Sequence, residues 1–151
     1  MAAQILTDTT DTTLTSTDLI GDLTNLYSKK AWSTTGTGYA TGDGAGGTVT
    51  QATSKATGVT LNKLCGQVTM NAAALASNTV VQFQLTNSTI AAADYVQVWL
   101  VSGAASGGSY NVWATTGNTS GAAFVQVRNI TGGSLSEAIV LGFAVFKSAT
   151  T

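Results

Sequence analysis

The sequence predicts a mainly β protein: an antiparallel β-sandwich, jelly-roll or immunoglobulin-like, preceded by an extended arm and one short helix. Three observations lead there. Apolar and polar residues alternate with period two through most of the chain beyond Gly46, as where Val81, Phe83 and Leu85 interleave with Gln82 and Gln84. That alternation marks strands with one face on a core. The runs are punctuated by Gly, Ser and Asn clusters with no helical periods between them, which argues a sandwich or barrel rather than βαβ units. Only before the strands does the period change, with Leu19, Leu23 and Leu26 at i, i+4 and i+7.

At 151 residues the chain has the length of one domain with an arm, enough for a single sandwich core. Charged residues make up only 9%, against about a quarter in ordinary soluble proteins. Mean hydropathy is +0.23. The surface is therefore built from Thr, Ser, Asn, Gln, Gly and Ala, and a neutral surface of this kind suits a protein packed into an assembly. The net charge of −1 offers no basic field for nucleic acid. The longest apolar run, 138–146, is too short to span a bilayer. The first residues lack the basic and apolar regions of a signal peptide. These features predict a protein made in a cytoplasm and not anchored to a membrane.

Residues 1–45 read as an arm and 46–151 as the β body. Thr and Asp alternate from Thr7 to Thr13, a pattern that disfavours helix and builds no core. Residues 16–29 form one apolar helical stripe, with Ile20 and Tyr27 flanking the leucines. Thr15, Ser16 or Thr17 supplies the N-cap. Asp18 and Asp22 near its start and Lys29 and Lys30 near its end suit the helix dipole. So short a helix needs a packing partner. Asp8, Asp11, Asp18 and Asp22 are the only charges before Lys29, and from Lys29 onward six basic and three acidic residues follow. An acidic arm on a mildly basic body is suited to docking on another surface. Trp32 and Tyr39 lie in a Gly/Thr-rich loop over 31–47. The Gly42-Asp43-Gly44 piece lacks the residues of a phosphate or calcium loop.

The body begins with Thr48–Ala52, with Val49 and Gln51 on one side. A turn over 54–58 follows, then Val59 and Leu61, a break over 62–66 containing the lone Cys65, and a restart at Val68 and Met70. Further strands are expected at 79–85, 95–101, 109–115, 123–130 and 138–147. The last is apolar on both faces: Ile139, Leu141, Phe143 and Val145 on one, Ala138, Val140, Gly142, Ala144 and Phe146 on the other. Such a strand is central in a covered sheet or lies at a subunit interface.

The chain has no His, which removes Ser-His-Asp and Cys-His nucleophile systems and the usual zinc and copper sites. Cys65 has neither a disulfide partner nor a base. A paired-carboxylate glycosidase would have only Asp43, Asp94 and Glu137 to draw on in the body. Glu137 reads as a surface charge partnered with Lys or Arg. No catalytic, cofactor-binding or metal-binding residue is assigned, and no enzyme activity or cofactor is expected. Trp99, Trp113, Gln97 and Gln126 could line a glycan-binding face; the favoured alternative places the Trp residues in the core or a subunit interface. Asn87, Asn118 and Asn129 head Asn-x-Ser/Thr triplets, which are acceptors only in a secretory pathway.

The pattern GTVTQATSK…GVTLNK…GQVTM over 46–70, with TNSTIAAADYVQV at 86–98 and RNITGGSLSEAIVLGFAVFK at 128–147, resembles a β-domain of tailed-bacteriophage structural proteins. Such domains occur in capsid decoration (cement) proteins, head fibres and tail-fibre-like proteins. The resemblance covers about the last hundred residues and brings no catalytic residue. It implies a virion protein synthesised in the bacterial host cytoplasm. The short chain, without a repeat or a coiled-coil shaft, points within that group to a decoration protein on the outer capsid surface. Its partners would be the major capsid protein and itself as a homotrimer, with no nucleic acid or membrane. Capsid and subunit contacts are then expected from Asp8, Asp11, Asp18, Leu19, Asp22, Leu23, Leu26, Tyr27 and Trp32. The alternative is a head- or tail-fibre tip that binds host-surface glycans.

Overall fold

A computed structural model describes residues 32–33, 36–37, 39, 45–117 and 120–148. The chain divides into two units, Met1–Gly38 and Tyr39–Thr151. In the first, β1 (Trp32–Ser33) and β2 (Gly36–Thr37) pair antiparallel, so Trp32, expected in a loop, stands in a strand. The expected arm over 1–15 and helix over 16–29 lie outside the described residues.

The second unit is a sandwich of two four-stranded sheets. Its strands are β3 (Thr48–Thr50), β4 (Val59–Thr60), β5 (Cys65–Thr69), β6 (Val80–Thr86), β7 (Tyr95–Ser102), β8 (Tyr110–Thr115), β9 (Ala122–Asn129) and β10 (Val140–Phe146). The first sheet has the order β3-β5-β10-β7 and the second β4-β6-β9-β8. The four pairings that involve β10 and β9 are antiparallel, as expected. The two outer pairs, β3 with β5 and β4 with β6, are parallel. The cause lies in the route of the chain, which changes sheet at nearly every connection. Parallel neighbours need a long crossover, and here the crossover is a strand in the opposite sheet: β4 lies between β3 and β5, and β5 between β4 and β6. Only β8 and β9 form a hairpin within one sheet.

Period-two alternation places the core as the sequence predicts. Phe83 and Leu85 of β6, Val96 and Val98 of β7, Val125 and Val127 of β9, and Leu141, Phe143 and Val145 of β10 are all buried. Each such side chain contributes roughly 1.5–3 kcal/mol of hydrophobic stabilisation. Cys65 differs from expectation. It opens β5 opposite Ala144 instead of sitting in a turn, because Cys65 and Gly66 are drawn into the ladder with β10.

The loops between sheets are held by buried polar side chains. Asn87 and Asn129 are both fully buried and make the same corner. The Asn87 Oδ1 accepts from the Thr89 amide at 3.0 Å and hydroxyl at 2.7 Å. The Asn129 Oδ1 accepts from the Thr131 amide at 2.9 Å and hydroxyl at 2.7 Å. The side-chain amide of Asn87 donates to the Lys63 carbonyl, and that of Asn129 to the carbonyls of Leu75, Ala76 and Gly133. Two of the three Asn-x-Ser/Thr triplets are therefore structural corners, while Asn118 lies outside the described residues. In the turn at 54–58, Lys55 is buried, and its ammonium donates to the main-chain carbonyls of Asn71 and Glu137 at 2.7 and 2.6 Å. Burial lowers the Lys55 pKa, with the charge of Glu137 pulling the other way.

Replacing Asn129 with Ala removes five hydrogen bonds from a fully buried corner; the carbonyls of Leu75, Ala76 and Gly133 keep other donors, but the Thr131 amide loses its acceptor, at about 1–3 kcal/mol for a group left unpaired. The denaturation midpoint of Asn129→Ala is expected to fall by the equivalent of about 3 kcal/mol, with Asn111→Ala, exposed on β8, shifting it by under about 0.5 kcal/mol. Equal shifts for the two variants would refute the structural corner.

Candidate interaction surface

The outward face of the first sheet can be read row by row from the register. Thr48, Gln67, Gly142 and Trp99 stand side by side across β3, β5, β10 and β7. The next row has Cys65, Ala144 and Gln97, and beyond it Phe146 stands opposite Tyr95. No Asp, Glu, Lys or Arg occurs among the outward residues of these four strands. Tyr95, Trp99 and Phe146 are 60, 45 and 52% exposed, and Val101, at the end of β7, is 43% exposed.

The centre of this face, Gly142, carries no side chain, and the Trp99 ring covers it. A Cβ on Gly142 would lie 2.5–2.7 Å from Cε2, Cζ2 and Nε1 of Trp99, so the indole lies across the β10 backbone. Beside it a groove of about 410 Å³ runs between Trp99 and the Gly46–Thr48 segment, with Gly66 and Phe143 in its floor. Tyr95 and Phe146 pack as tilted rings 6.1 Å apart, and the Tyr95 hydroxyl donates to Gln97 Oε1 at 2.7 Å. The Tyr39 hydroxyl donates to the Val145 carbonyl at the end of β10.

The second sheet turns a different face outward. Gln82, Gln126 and Trp113 form one row across β6, β9 and β8, and the amides of Gln82 and Gln126 meet at 3.0 Å. Trp113 is 39% exposed. The four residues of the glycan alternative are thus divided between opposite faces of the sandwich, Trp99 and Gln97 on one, Trp113 and Gln126 on the other. Neither Trp fills the core, contrary to one expectation; the core aromatics are Phe83, Phe143 and Tyr110. Asp8, Asp11, Asp18, Leu19, Asp22, Leu23, Leu26 and Tyr27 lie outside the described residues. Tyr95, Phe146 and Gly142 were not singled out as a surface by sequence reasoning. Their signal was the second apolar face of 138–147, which alone did not separate a covered central strand from an interface.

Asp94 and Glu137 are held in internal contacts near the two ends of β10. Asp94 is buried and accepts from the Lys147 ammonium, from the Ala91 amide at 2.7 Å and from the Ser148 amide at 3.1 Å. Burial raises its pKa, but the hydrogen bonds from Lys147 and the two amides, with the Lys147 charge, outweigh this and bring it below the usual value. Glu137, expected to partner a Lys or Arg side chain, instead accepts from the Tyr110 hydroxyl at 2.5 Å and the Ala105 amide at 3.2 Å. The Tyr110 hydrogen bond is the largest influence lowering the Glu137 pKa. Lys55 reaches only the main-chain carbonyl of Glu137, because its ammonium is committed inside the turn. Glu137 precedes β10 and the Asp94–Lys147 pair follows it, so a whole strand of about 20 Å separates the two carboxyls. Among the described residues no cluster of three or more His, Cys, Asp or Glu side chains is placed to hold a metal ion.

No protein-family model, no curated protein and no solved structure matches this chain.

Two outcomes are expected. With Trp32 and Trp113 replaced by Phe, Gly142→Ala forces the Trp99 ring off the sheet, and its fluorescence becomes more accessible to acrylamide; unchanged quenching would refute the stacked geometry. For acid stability the sign follows from the lowered pKa of Asp94. The stability it contributes is complete above the unfolded value of about 4 and is lost as pH falls through the folded value. Asp94→Asn should therefore flatten the decline of unfolding free energy below about pH 4, and an unaltered decline would remove Asp94 from that role.

Proposed function

We propose that this chain is a structural protein of a bacteriophage virion, a capsid decoration (cement) protein that binds the outer capsid surface as a trimer and stabilises the shell. The observation that carries the reading is the uncharged outward face of the first sheet, with Tyr95, Trp99 and Phe146 exposed on it. A free monomer gains nothing from leaving such a strip in water, and exposed apolar patches mark interaction sites. Three rings, each about half exposed, offer on the order of 300 Å² of apolar surface, or roughly 7 kcal/mol gross. Association costs about 4–15 kcal/mol. A single strip therefore binds weakly, and firm attachment comes from several copies engaged together.

The mechanism is mechanical. The body is a sandwich whose loops are tied by buried Asn corners and by the Lys55 and Asp94 networks, so it transmits load without opening. In this reading the apolar stripe Leu19, Leu23, Leu26 and Tyr27, with Trp32, anchors the chain to the major capsid protein, and Asp8, Asp11, Asp18 and Asp22 dock it electrostatically. No reaction, cofactor or nucleic-acid contact enters the scheme. A glycan-binding fibre tip ranks second, since its four residues form two separate pairs, although the flat indole of Trp99 beside an open groove is the kind of platform a sugar ring stacks on.

Light scattering of the purified chain, followed by sedimentation with undecorated phage shells, tests the reading. The expected result is a trimer that co-sediments with shells in a fixed ratio, and loss of binding when Leu19, Leu23 and Leu26 are all replaced by Ser. A chain that ignores shells but shows glycan-dependent quenching of Trp fluorescence would transfer the assignment to the fibre tip.

A further inference from the structure

We propose that the copies of this chain meet edge to edge, the free edge of β7 of one copy lying along the free edge of β8 of the next. This rests on the assembly reading above and adds where the subunits touch. Among the described residues the sandwich has four sheet edges. Two belong to very short strands, β3 with three residues and β4 with two. The other two are β8, with six, and β7, with eight. A long edge is a template for another strand unless it is shortened, charged, interrupted by Pro or bulged. Neither β7 nor β8 contains a charged residue or a Pro. The one irregularity, a register shift opposite Val140 and Leu141, falls at the end of β7 and leaves Tyr95–Leu100 regularly paired with β10.

The two edges lie on the same flank. Each is the terminal strand of its sheet, and β7 and β8 are neighbours in space. Their connection is fixed: Gly103, with φ of +85°, passes so close to Ala138 that a Cβ would lie 2.6 Å from its carbonyl oxygen. Glu137 accepts from Ala105 within the connection and from Tyr110 at the start of β8. Among the described residues the flank is thus a pair of edges with no strand beside them, tied together through Glu137. Repeated head to tail, a contact from β7 of one copy to β8 of the next builds a ring where the rotation closes; made reciprocally by two copies it builds a two-fold dimer. The closed ring is the form that the proposed trimer would take.

Charge argues for a second copy as the occupant. Burial against this flank would leave a charged partner unpaired, at a desolvation cost. The nearby ions, Asp94 and Lys147, are already paired with each other. An identical uncharged edge meets no such penalty.

The test uses the full chain with one charge on each strand, at positions exposed in the single copy: Gln97→Lys on β7 and Asn111→Asp on β8. Each alone sets a charge beside the neutral facing strand at the rim of the contact and is expected to weaken self-association by about two- to fivefold by light scattering, with far-UV circular dichroism unchanged. The two together in one chain place Lys and Asp on facing strands, within direct or diagonal reach, and restore the assembly. Gln84→Lys, on the outward face of β6 away from the flank, leaves it intact. A wild-type chain that stays monomeric, or single variants that assemble like wild type, would overturn the proposal. So would a double variant that is not rescued, which would assign β7 to a different partner surface. Sedimentation with shells separates this proposal from the functional reading: a chain that assembles as described but never binds shells refutes the capsid role alone, and one that binds shells as a monomer refutes this contact and the trimer but leaves the capsid role standing.

Discussion

Strand β10 is hydrogen-bonded along both edges, to β5 and to β7, and the first sheet is organised about it. Its inward residues Leu141, Phe143 and Val145 are buried in the core. Its outward residues Gly142 and Ala144 are small, and that smallness lets Trp99 lie across the strand instead of standing away from it. Glu137 just before the strand fixes the β7–β8 connection, and Lys147 just after it holds Asp94. One strand therefore sets the core, the placement of Trp99 on the outward face and the position of both ends of that face.

Lys55, Asp94 and the buried asparagines of the body are used internally. Lys55 and the side chain of Asn87 satisfy main-chain carbonyls outside the strand ladders, and the Asn129 amide adds a donor to the carbonyls of Leu75, Ala76 and Gly133. Such partners are what make a loop-rich sandwich without disulfides tolerable, because a buried carbonyl without a donor costs as much as several buried methylenes repay. The same economy leaves the outward face of the first sheet neutral. Stability and a surface suited to assembly thus come from one allocation of polar groups.

A neutral face has consequences for the kind of partner it takes. It neither steers a charged ligand from a distance nor repels a copy of itself. Its contribution per copy is small, so it matters where many copies are presented in fixed geometry. The virion shell proposed above would be such a setting, and there a sandwich with tied corners would carry load.

The sequence by itself determined the mainly β class, most strand positions and, in most strands, which residues share a face, because period-two alternation is local. Val81, Phe83 and Leu85 needed no knowledge of their neighbours, whereas which of the two apolar faces of 138–147 turns inward was decided by the tertiary structure. Cys65 was misread because its place depends on pairing with Ala144, nearly eighty residues away in sequence. The parallel outer pairs, the separation of Trp99 from Trp113, the engagement of Glu137 by Tyr110 and the burial of Lys55 were likewise decided only by tertiary structure. Each depends on which sheet a strand joins and which strand lies beside it. That choice is made by non-local hydrogen bonding and packing, on which local alternation carries no information.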